Sequence, residues 1–117
     1  SMTPVIYGIP NCDSIRKARK WFEQHGVDYR FIDVRETPPT REQVSGWIDA
    51  VGHSILINKR STTWKNMGTS EREETEHGDT LSVLLDHPTL IKRPVLEHGG
   101  DIVVGFNADH YRDRFTA

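Results

Sequence analysis

Close to its amino-terminal end the chain reads VIYGIPNCDSIRKARKWF over residues 5–22. The apolar run 5–9 predicts a short buried strand. Apolar side chains then recur at helical spacing through residues 13–25, which predicts an amphipathic helix that ends at Gly26. Cys12 therefore lies in the turn between a strand and the start of a helix.

Further strand signals lie on either side of the middle of the chain. Residues 29–34 are rich in strand-forming side chains, and a strand–helix–strand unit implies parallel, right-handed pairing. Residues 95–98 and 102–106 flank the turn Gly99-Gly100 and predict a hairpin. Asn107 is expected to cap a last helix. The order of the elements predicts an α/β fold.

The middle of the chain carries mostly helical signals. Thr40 and Gln43 have the spacing of a capping box and predict the start of a helix. Residues 70–76 predict a short polar helix, and Asp79 is expected to cap the next one. Residues 54–68 give no clear helix or strand signal.

Length, charge and cysteine content narrow the class of protein. A chain of 117 residues with a net charge of −2 supports one domain, placed at residues 2–117, and offers no basic stripe for nucleic acid. Its apolar runs fall short of the roughly 20 residues that span a membrane, and no secretory segment is expected. The single cysteine favours a reducing compartment. We expect a cytoplasmic monomer that contacts neither nucleic acid nor membranes.

Cys12 is the candidate for chemistry. The thiolate is the reactive form of cysteine, and both the N–H groups of a helix start and a nearby arginine stabilise it. Arg16 follows one helical turn later on the same face. A buried, inert cysteine is the alternative, and the polar turn around Cys12 argues against it. Because the chain has no second cysteine, a redox cycle needs a thiol from another molecule.

Several motifs together resemble the ArsC/Spx family, and among its members the YffB branch is the most similar. They lie at residues 7–18, 58–65, 87–88, 90–94 and 104–107. The resemblance covers essentially the whole chain.

The resemblance implies a thioredoxin-like fold with a helical subdomain inserted at about residues 40–77. In the YffB branch it implies a glutathione-dependent monothiol reductase without a bound cofactor. Cys12 would form a mixed disulfide, and glutathione or another small thiol, with or without a glutaredoxin, would release it. A cis peptide bond before Pro94 would hold Arg93 beside Cys12, where it would pair with the thiolate or an anionic substrate.

Four further residues near the motifs are candidates for binding a ligand, and simpler explanations exist for some of them. Arg60 stands in a hydroxyl-rich stretch and is expected to bind an anion such as a glutathione carboxylate, although a solvated loop explains the same residues. Asn11, Arg16 and Pro94 join it as candidate binding residues. The alternatives are that Arg16 only coats the helix and that Asn11 only makes the turn. The six histidines show no metal-ligand spacing, so no metal is expected.

Two departures from the family pattern leave other functions open. Spx-type regulators carry Cys-x-x-Cys, whereas Ile15 stands here where the second thiol would be. Arsenate reductases of the family use three arginines; Arg60 and Arg93 match two of them, and residues 102–106 contain no third. The alternatives are therefore a regulator that binds the RNA polymerase alpha subunit and an arsenate reductase proper.

Overall fold

The structure is a computed structural model and describes residues 2–116. Within that range the strands are β1 (Val5–Gly8), β2 (Arg30–Asp33), β3 (Val95–His98) and β4 (Asp101–Val104). The helices are α1 (Asp13–Gln24), α2 (Arg41–Val51), α3 (His53–Leu56), α4 (Thr62–Lys65), α5 (Thr69–His77), α6 (Thr80–Asp86) and α7 (Ala108–Phe115). A 3-10 turn, Pro88–Leu90, follows α6.

The strands form one sheet in the order β2-β1-β3-β4. β1 pairs with β2 in parallel, with Val5 opposite Arg30, and pairs with β3 antiparallel. β3 and β4 form the hairpin, whose turn residues Gly99 and Gly100 have φ values of 58° and 87°. These positive values suit the right-handed twist of a tight hairpin and favour glycine. The predicted α/β fold, its parallel unit and its hairpin are confirmed.

Helices cover both faces of this sheet. Successive strand residues point to opposite faces, and accordingly Ile6 and Leu96 pack in one apolar cluster with side chains of α1 and α7. Tyr7 and Val95 pack in a second cluster with residues of the helices that lie between β2 and β3. Cys12 contacts the edge of this second cluster, so the cysteine lies at the end of the sheet on the side of the inserted helices.

Side chains cap the first turns of two inserted helices, α2 and α6. Thr40 and Gln43 form both bonds of the predicted capping box, and Asp79 caps α6 by accepting from the Ser82 N–H at 3.1 Å. The Ser82 hydroxyl also donates to Asp79, at 2.7 Å, and these two bonds, the hydroxyl's first, hold the pKa of the Asp79 carboxyl below its usual range. The unassigned stretch 54–68 contains the single-turn helices α3 and α4. Helices of four residues are too short to show a hydrophobic period, so this stretch carries no helical signal.

One carboxylate joins the sheet to α2. Glu97 of β3 accepts from the Tyr7 hydroxyl at 2.7 Å and from Trp47 Nε1 at 2.8 Å, and Gln43 of α2 donates to the same Tyr7 oxygen at 3.1 Å. Burial, together with the bond to Glu97, raises the pKa of Tyr7. The insertion is therefore fixed on the sheet by a satisfied polar network as well as by apolar packing.

No helix between residues 2 and 116 combines the length and the hydropathy that a membrane-spanning segment needs.

Candidate active site

Cys12 is the N-cap residue of α1, as the sequence predicted. Its backbone is extended, with φ −118° and ψ 131°, and its side chain forms no capping hydrogen bond. The Cys12 carbonyl accepts the Arg16 N–H at 2.9 Å, so the helical ladder begins at this residue. The N–H groups of Asp13 and Ser14, in the first turn, have no partner within the helix. They give the neighbourhood of the sulfur a positive potential.

The half-buried thiol opens into a cleft of about 670 Å³. The first turn of α1 forms one wall, and residues 57–60 and 92–93 form the others. Four cationic side chains line this cleft: Lys59, Arg60, Lys92 and Arg93. Such a concentration of positive charge suits an anionic ligand.

One isolated β-bridge joins the two segments, distant in sequence, that carry the cationic side chains of the cleft. Ile57 and Ile91 pair as an isolated antiparallel bridge, flanked by backbone hydrogen bonds of 2.8 Å from Asn58 to Leu90 and 2.7 Å from Lys92 to Leu56. A Lys-Arg pair follows soon after each bridging isoleucine in the sequence. The bridge therefore brings both pairs to the same cleft.

Arg93 precedes a cis peptide bond to Pro94, as the family resemblance implied. Its Nη1 donates to the Thr89 carbonyl oxygen at 2.8 Å. Its Nε is buried and finds no hydrogen-bond partner among residues 2–116. A buried donor without an acceptor costs about 1–3 kcal/mol, so this guanidinium gains stability from any acceptor that reaches it.

The other three cationic side chains of the cleft differ in their hydrogen-bond and ion-pair partners. Lys59 donates to Glu76 of α5 at 2.8 Å and lies 5.5 Å from the ring centroid of Trp64. The bond to Lys59 lowers the pKa of the Glu76 carboxyl. Arg60 and Lys92 are exposed, and neither forms an ion pair with any residue that the structure describes. The side chains of Arg60 and Lys92 therefore line the cleft without a carboxylate partner among the described residues.

Three of the predicted binding residues, Asn11, Arg16 and Pro94, do not line the cleft. Arg16 forms an ion pair with Asp13 on the exposed surface of α1, and Asn11 accepts from Arg35 Nη2 at 3.5 Å. The prediction that Arg16 serves the ligand finds no support in this placement, because Asp13 already holds its guanidinium. Pro94 is buried.

The sequence reasoning missed Lys92, Lys59 and Ser14, which all line the cleft. The two basic dipeptides were visible in the sequence. What the sequence did not show was that they meet, because one isolated bridge between short irregular segments has no periodic signature. Residues 2–116 contain no group of histidine, cysteine, aspartate and glutamate side chains able to hold a metal ion.

A family model described as the ArsC family matches residues 7–114. The chain belongs to the ArsC family. Its backbone is similar to the solved structure of a YffB protein, with a TM-score of 0.90 and 34% identity over 97% of this chain and 100% of that one. An ArsC-family neighbour, the arsenate reductase (ArsC) related protein of Brucella melitensis, has a TM-score of 0.77 and 35% identity over 100% and 98% of the two chains.

Regulators belong to the same set of ArsC relatives. The global transcriptional regulator Spx 2 of Oceanobacillus iheyensis is 31% identical over 95% of this chain and 82% of its own length. The ArsC-family architecture here is thus the predicted thioredoxin-like fold with inserted helices, and both reductase-like and regulatory relatives share it.

Proposed function

We propose that this ArsC-family protein is a monothiol oxidoreductase that acts through the Cys12 thiolate and is recycled by glutathione. The observation that carries the proposal is the position of Cys12: it caps α1 and opens into a cleft lined with lysine and arginine side chains. The thiolate is the nucleophile in disulfide exchange, and the cationic side chains of this cleft are placed to pair with it or with an anionic partner.

The cycle has two exchange steps. Cys12 thiolate attacks one sulfur of a disulfide; the old S–S bond breaks, a mixed disulfide forms at Cys12, and the other sulfur leaves as a thiolate. Glutathione thiolate then attacks the mixed disulfide, forms a new disulfide with the captured group and releases Cys12 thiolate. Once Cys12 is free, a second glutathione thiolate attacks the sulfur of the first glutathione in that disulfide. The captured group leaves as a thiolate and oxidised glutathione remains, so two glutathione molecules supply the two electrons that reduce the acceptor.

The absence of a resolving cysteine in this chain supports an external thiol. Ile15 occupies the position where a Cys-x-x-Cys motif has its second thiol, and it is fully buried. Its side chain packs against Gly8 of β1. The position therefore serves α1 packing rather than chemistry. Such a thiol cycle requires a reducing compartment, and we place it in the cytoplasm.

Arg93 is proposed as a catalytic residue that pairs with the thiolate or with the anionic partner, and Arg60 as a binding residue. Arg93 has an unsatisfied donor, and Arg60 is a free cation on the opposite segment of the cleft. Charge-assisted hydrogen bonds to either group are stronger than neutral ones.

Mass spectrometry of the reduced protein incubated with oxidised glutathione tests the proposal. We expect one glutathionyl group on Cys12, its removal by reduced glutathione, and no adduct on Cys12→Ser. Arg93→Gln should form the adduct about tenfold more slowly, because a charge-assisted hydrogen bond is lost. An unmodified wild-type protein, or an adduct rate that does not depend on Arg93, would remove the mechanism.

A regulatory function is the second candidate, favoured by the identity with the Spx 2 regulator. Against it, Ile15 replaces the second cysteine of the Spx redox pair. A pull-down with the RNA polymerase alpha subunit separates the two functions: stable capture, without glutathione exchange at Cys12, would favour the regulator.

Arsenate reduction is the third candidate, and similarity to the Brucella melitensis protein favours it. Arg60 and Arg93 line the cleft, but residues 102–106 supply no third arginine. Arsenate-dependent consumption of NADPH in the presence of glutathione, glutathione reductase and glutaredoxin would favour this activity over disulfide exchange.

A further inference from the structure

We propose that the Thr63 hydroxyl positions Arg93 for the reaction at Cys12, because it holds Thr89, the residue whose carbonyl oxygen anchors the Arg93 guanidinium. The inference rests on the thiol exchange proposed above and adds two positioning residues to it. Thr63 and Thr89 do not themselves line the cleft. Both therefore act through Arg93 rather than on a ligand.

Arg93 is anchored by one backbone carbonyl. Its Nη1 donates to the Thr89 carbonyl oxygen at 2.8 Å. Its Nε finds no acceptor among residues 2–116, and none of the ion pairs in that range includes Arg93. The bond to Thr89 therefore sets where the guanidinium of this half-buried residue lies.

The Thr89 carbonyl belongs to the 3-10 turn that follows α6. In and beside this turn, the carbonyl oxygens of His87, Pro88 and Leu90 accept backbone N–H groups, at 2.9, 3.2 and 2.8 Å. The Thr89 carbonyl accepts the Arg93 guanidinium instead. A shift of the turn would therefore move the anchor of Arg93 with it.

A bond between two hydroxyls ties this turn to α4. Thr63 Oγ1 and Thr89 Oγ1 are 2.8 Å apart, and both residues are half-buried. α4 is itself well fixed, because the Ser61 hydroxyl accepts the Trp64 N–H at 3.1 Å and Trp64 is buried. Thr63 thus connects the turn that anchors Arg93 to a fixed element on the other side of the bond.

Arg93 lies next to the element that carries the thiol. A Cβ placed on Gly8 would be 3.6 Å from Arg93 Cβ and would also meet the side chain of Ile15 in α1. Arg93 and Cys12 line the same cleft. An arginine fork pairs with an anion in a defined geometry, so a looser anchor lowers the fraction of molecules in which Arg93 is correctly placed.

Removal of the two hydroxyls tests the proposal. Thr63→Val keeps the shape of the side chain, and it should form the Cys12 adduct with oxidised glutathione about threefold more slowly, the size of one lost hydrogen bond. Thr89→Val removes the other hydroxyl and should slow the reaction by the same factor. Thr63→Ser retains a hydroxyl and should react at the wild-type rate.

A double-mutant cycle distinguishes positioning from a general effect on the fold. In an Arg93→Gln background, Thr63→Val should leave the rate unchanged, because the group that Thr63 positions is absent. The same loss in both backgrounds would overturn the inference. So would a wild-type rate for Thr63→Val beside a slow Arg93→Gln, and this result would leave thiol exchange intact. An Arg93→Gln rate equal to that of the wild type would overturn the role of Arg93 and the inference with it.

Two other threonines provide matched controls. Thr62→Val removes an exposed hydroxyl from the neighbouring position of α4 and should leave the rate unchanged. Thr75→Val removes a hydroxyl that donates to the Glu71 carbonyl oxygen at 2.7 Å within α5. It should lower stability in urea without slowing the reaction of Cys12. Equal slowing by Thr75→Val and Thr63→Val would show that the rate follows stability, and would also overturn the inference.

Discussion

At Gly8, the last residue of β1, the backbone lies directly against Ile15 of α1. A Cβ on Gly8 would stand 2.3 Å from Ile15 Cδ1 and 2.7 Å from Cγ1. This close approach brings the start of α1, and with it Cys12, against the end of the sheet. The absence of a side chain at Gly8 therefore lets α1 pack closely enough to bring Cys12 to the end of the sheet.

Gly8→Ala should lower the free energy of unfolding by about 1–3 kcal/mol, because the new methyl group forces a fully buried isoleucine to move. Urea denaturation measures the change. Ile15→Val in the same chain should recover part of the loss. Gly46→Ala is the control: its Cβ would meet nothing within 4 Å, and alanine in the interior of α2 should stabilise the protein by about 0.5–1 kcal/mol. Equal effects at the two glycines would contradict this explanation.

Single residues also show what the sequence could reveal about the site. Cys12 could be placed at a helix start because a strand signal, a turn and a helix period adjoin it, all within local sequence. The position of Lys92 in the cleft could not be predicted, because it depends on the bridge between Ile57 and Ile91. Arg16 was predicted from helical spacing alone, and its ion pair with the exposed Asp13 carboxylate could not be read from that spacing.

At the level of elements, the contact between α2 and the sheet depends on a charged hydrogen-bond acceptor. Glu97 receives bonds from Tyr7 and Trp47, and Trp47 is only 1% exposed. Since an acceptor left unpaired at such a site is costly, the indole N–H fixes how α2 packs on β3.

Trp47→Phe should lower the free energy of unfolding by about 2–4 kcal/mol, the sum of a lost charged hydrogen bond and lost packing. Trp21→Phe is the control, since Trp21 is 6% exposed and its indole N–H has no hydrogen-bond partner among residues 2–116. Thermal and urea denaturation of both variants compare them. A cost at Trp47 no greater than the cost at Trp21 would show that the bond to Glu97 contributes nothing.

The elements themselves could be predicted to the extent that each has a local signal. The capping box of α2 and the Asp79 cap of α6 were confirmed, because capping depends on neighbouring residues. The single-turn helices α3 and α4 were not predicted, although they flank the segment that carries Arg60. Their conformation is set by tertiary contacts: Leu56 and Trp64 are buried in the second apolar cluster, and the Leu56 carbonyl oxygen accepts from the Lys92 N–H at 2.7 Å.

For the whole molecule, the order of strand and helix signals was enough to predict an α/β fold, and the family motifs added the thioredoxin-like topology. The fold is predictable from these signals because both faces of the sheet are covered by apolar packing. The alternating residues of the sheet, such as Ile6 and Tyr7, enter different cores, and only one strand register buries both sets. The polar groups within those cores were not predicted, because a tyrosine in an apolar run looks the same whether or not its hydroxyl finds a partner.

Two buried tyrosines, Tyr7 and Tyr111, limit the stability of the folded protein at alkaline pH. Tyr7 and Tyr111 are 6% and 1% exposed, and burial raises the pKa of both hydroxyls in the folded state. A tyrosine in the unfolded chain ionises near pH 10. The stabilising contribution is therefore complete below about pH 10 and is lost as the pH rises toward the higher pKa of the folded state, by about 1.4 kcal/mol per pH unit for each tyrosine.

Tyr111→Phe separates the two contributions. The Tyr111 hydroxyl is buried without a hydrogen-bond partner among residues 2–116, so removing it should raise the free energy of unfolding at neutral pH by about 1 kcal/mol. Above about pH 10 the variant should lose stability less steeply than the wild type, by about 1.4 kcal/mol per pH unit. Urea denaturation at a series of pH values measures both effects. Parallel pH profiles for the two proteins would mean that Tyr111 ionises in the folded state as readily as in the unfolded chain, and its burial would then not be what limits stability in alkali.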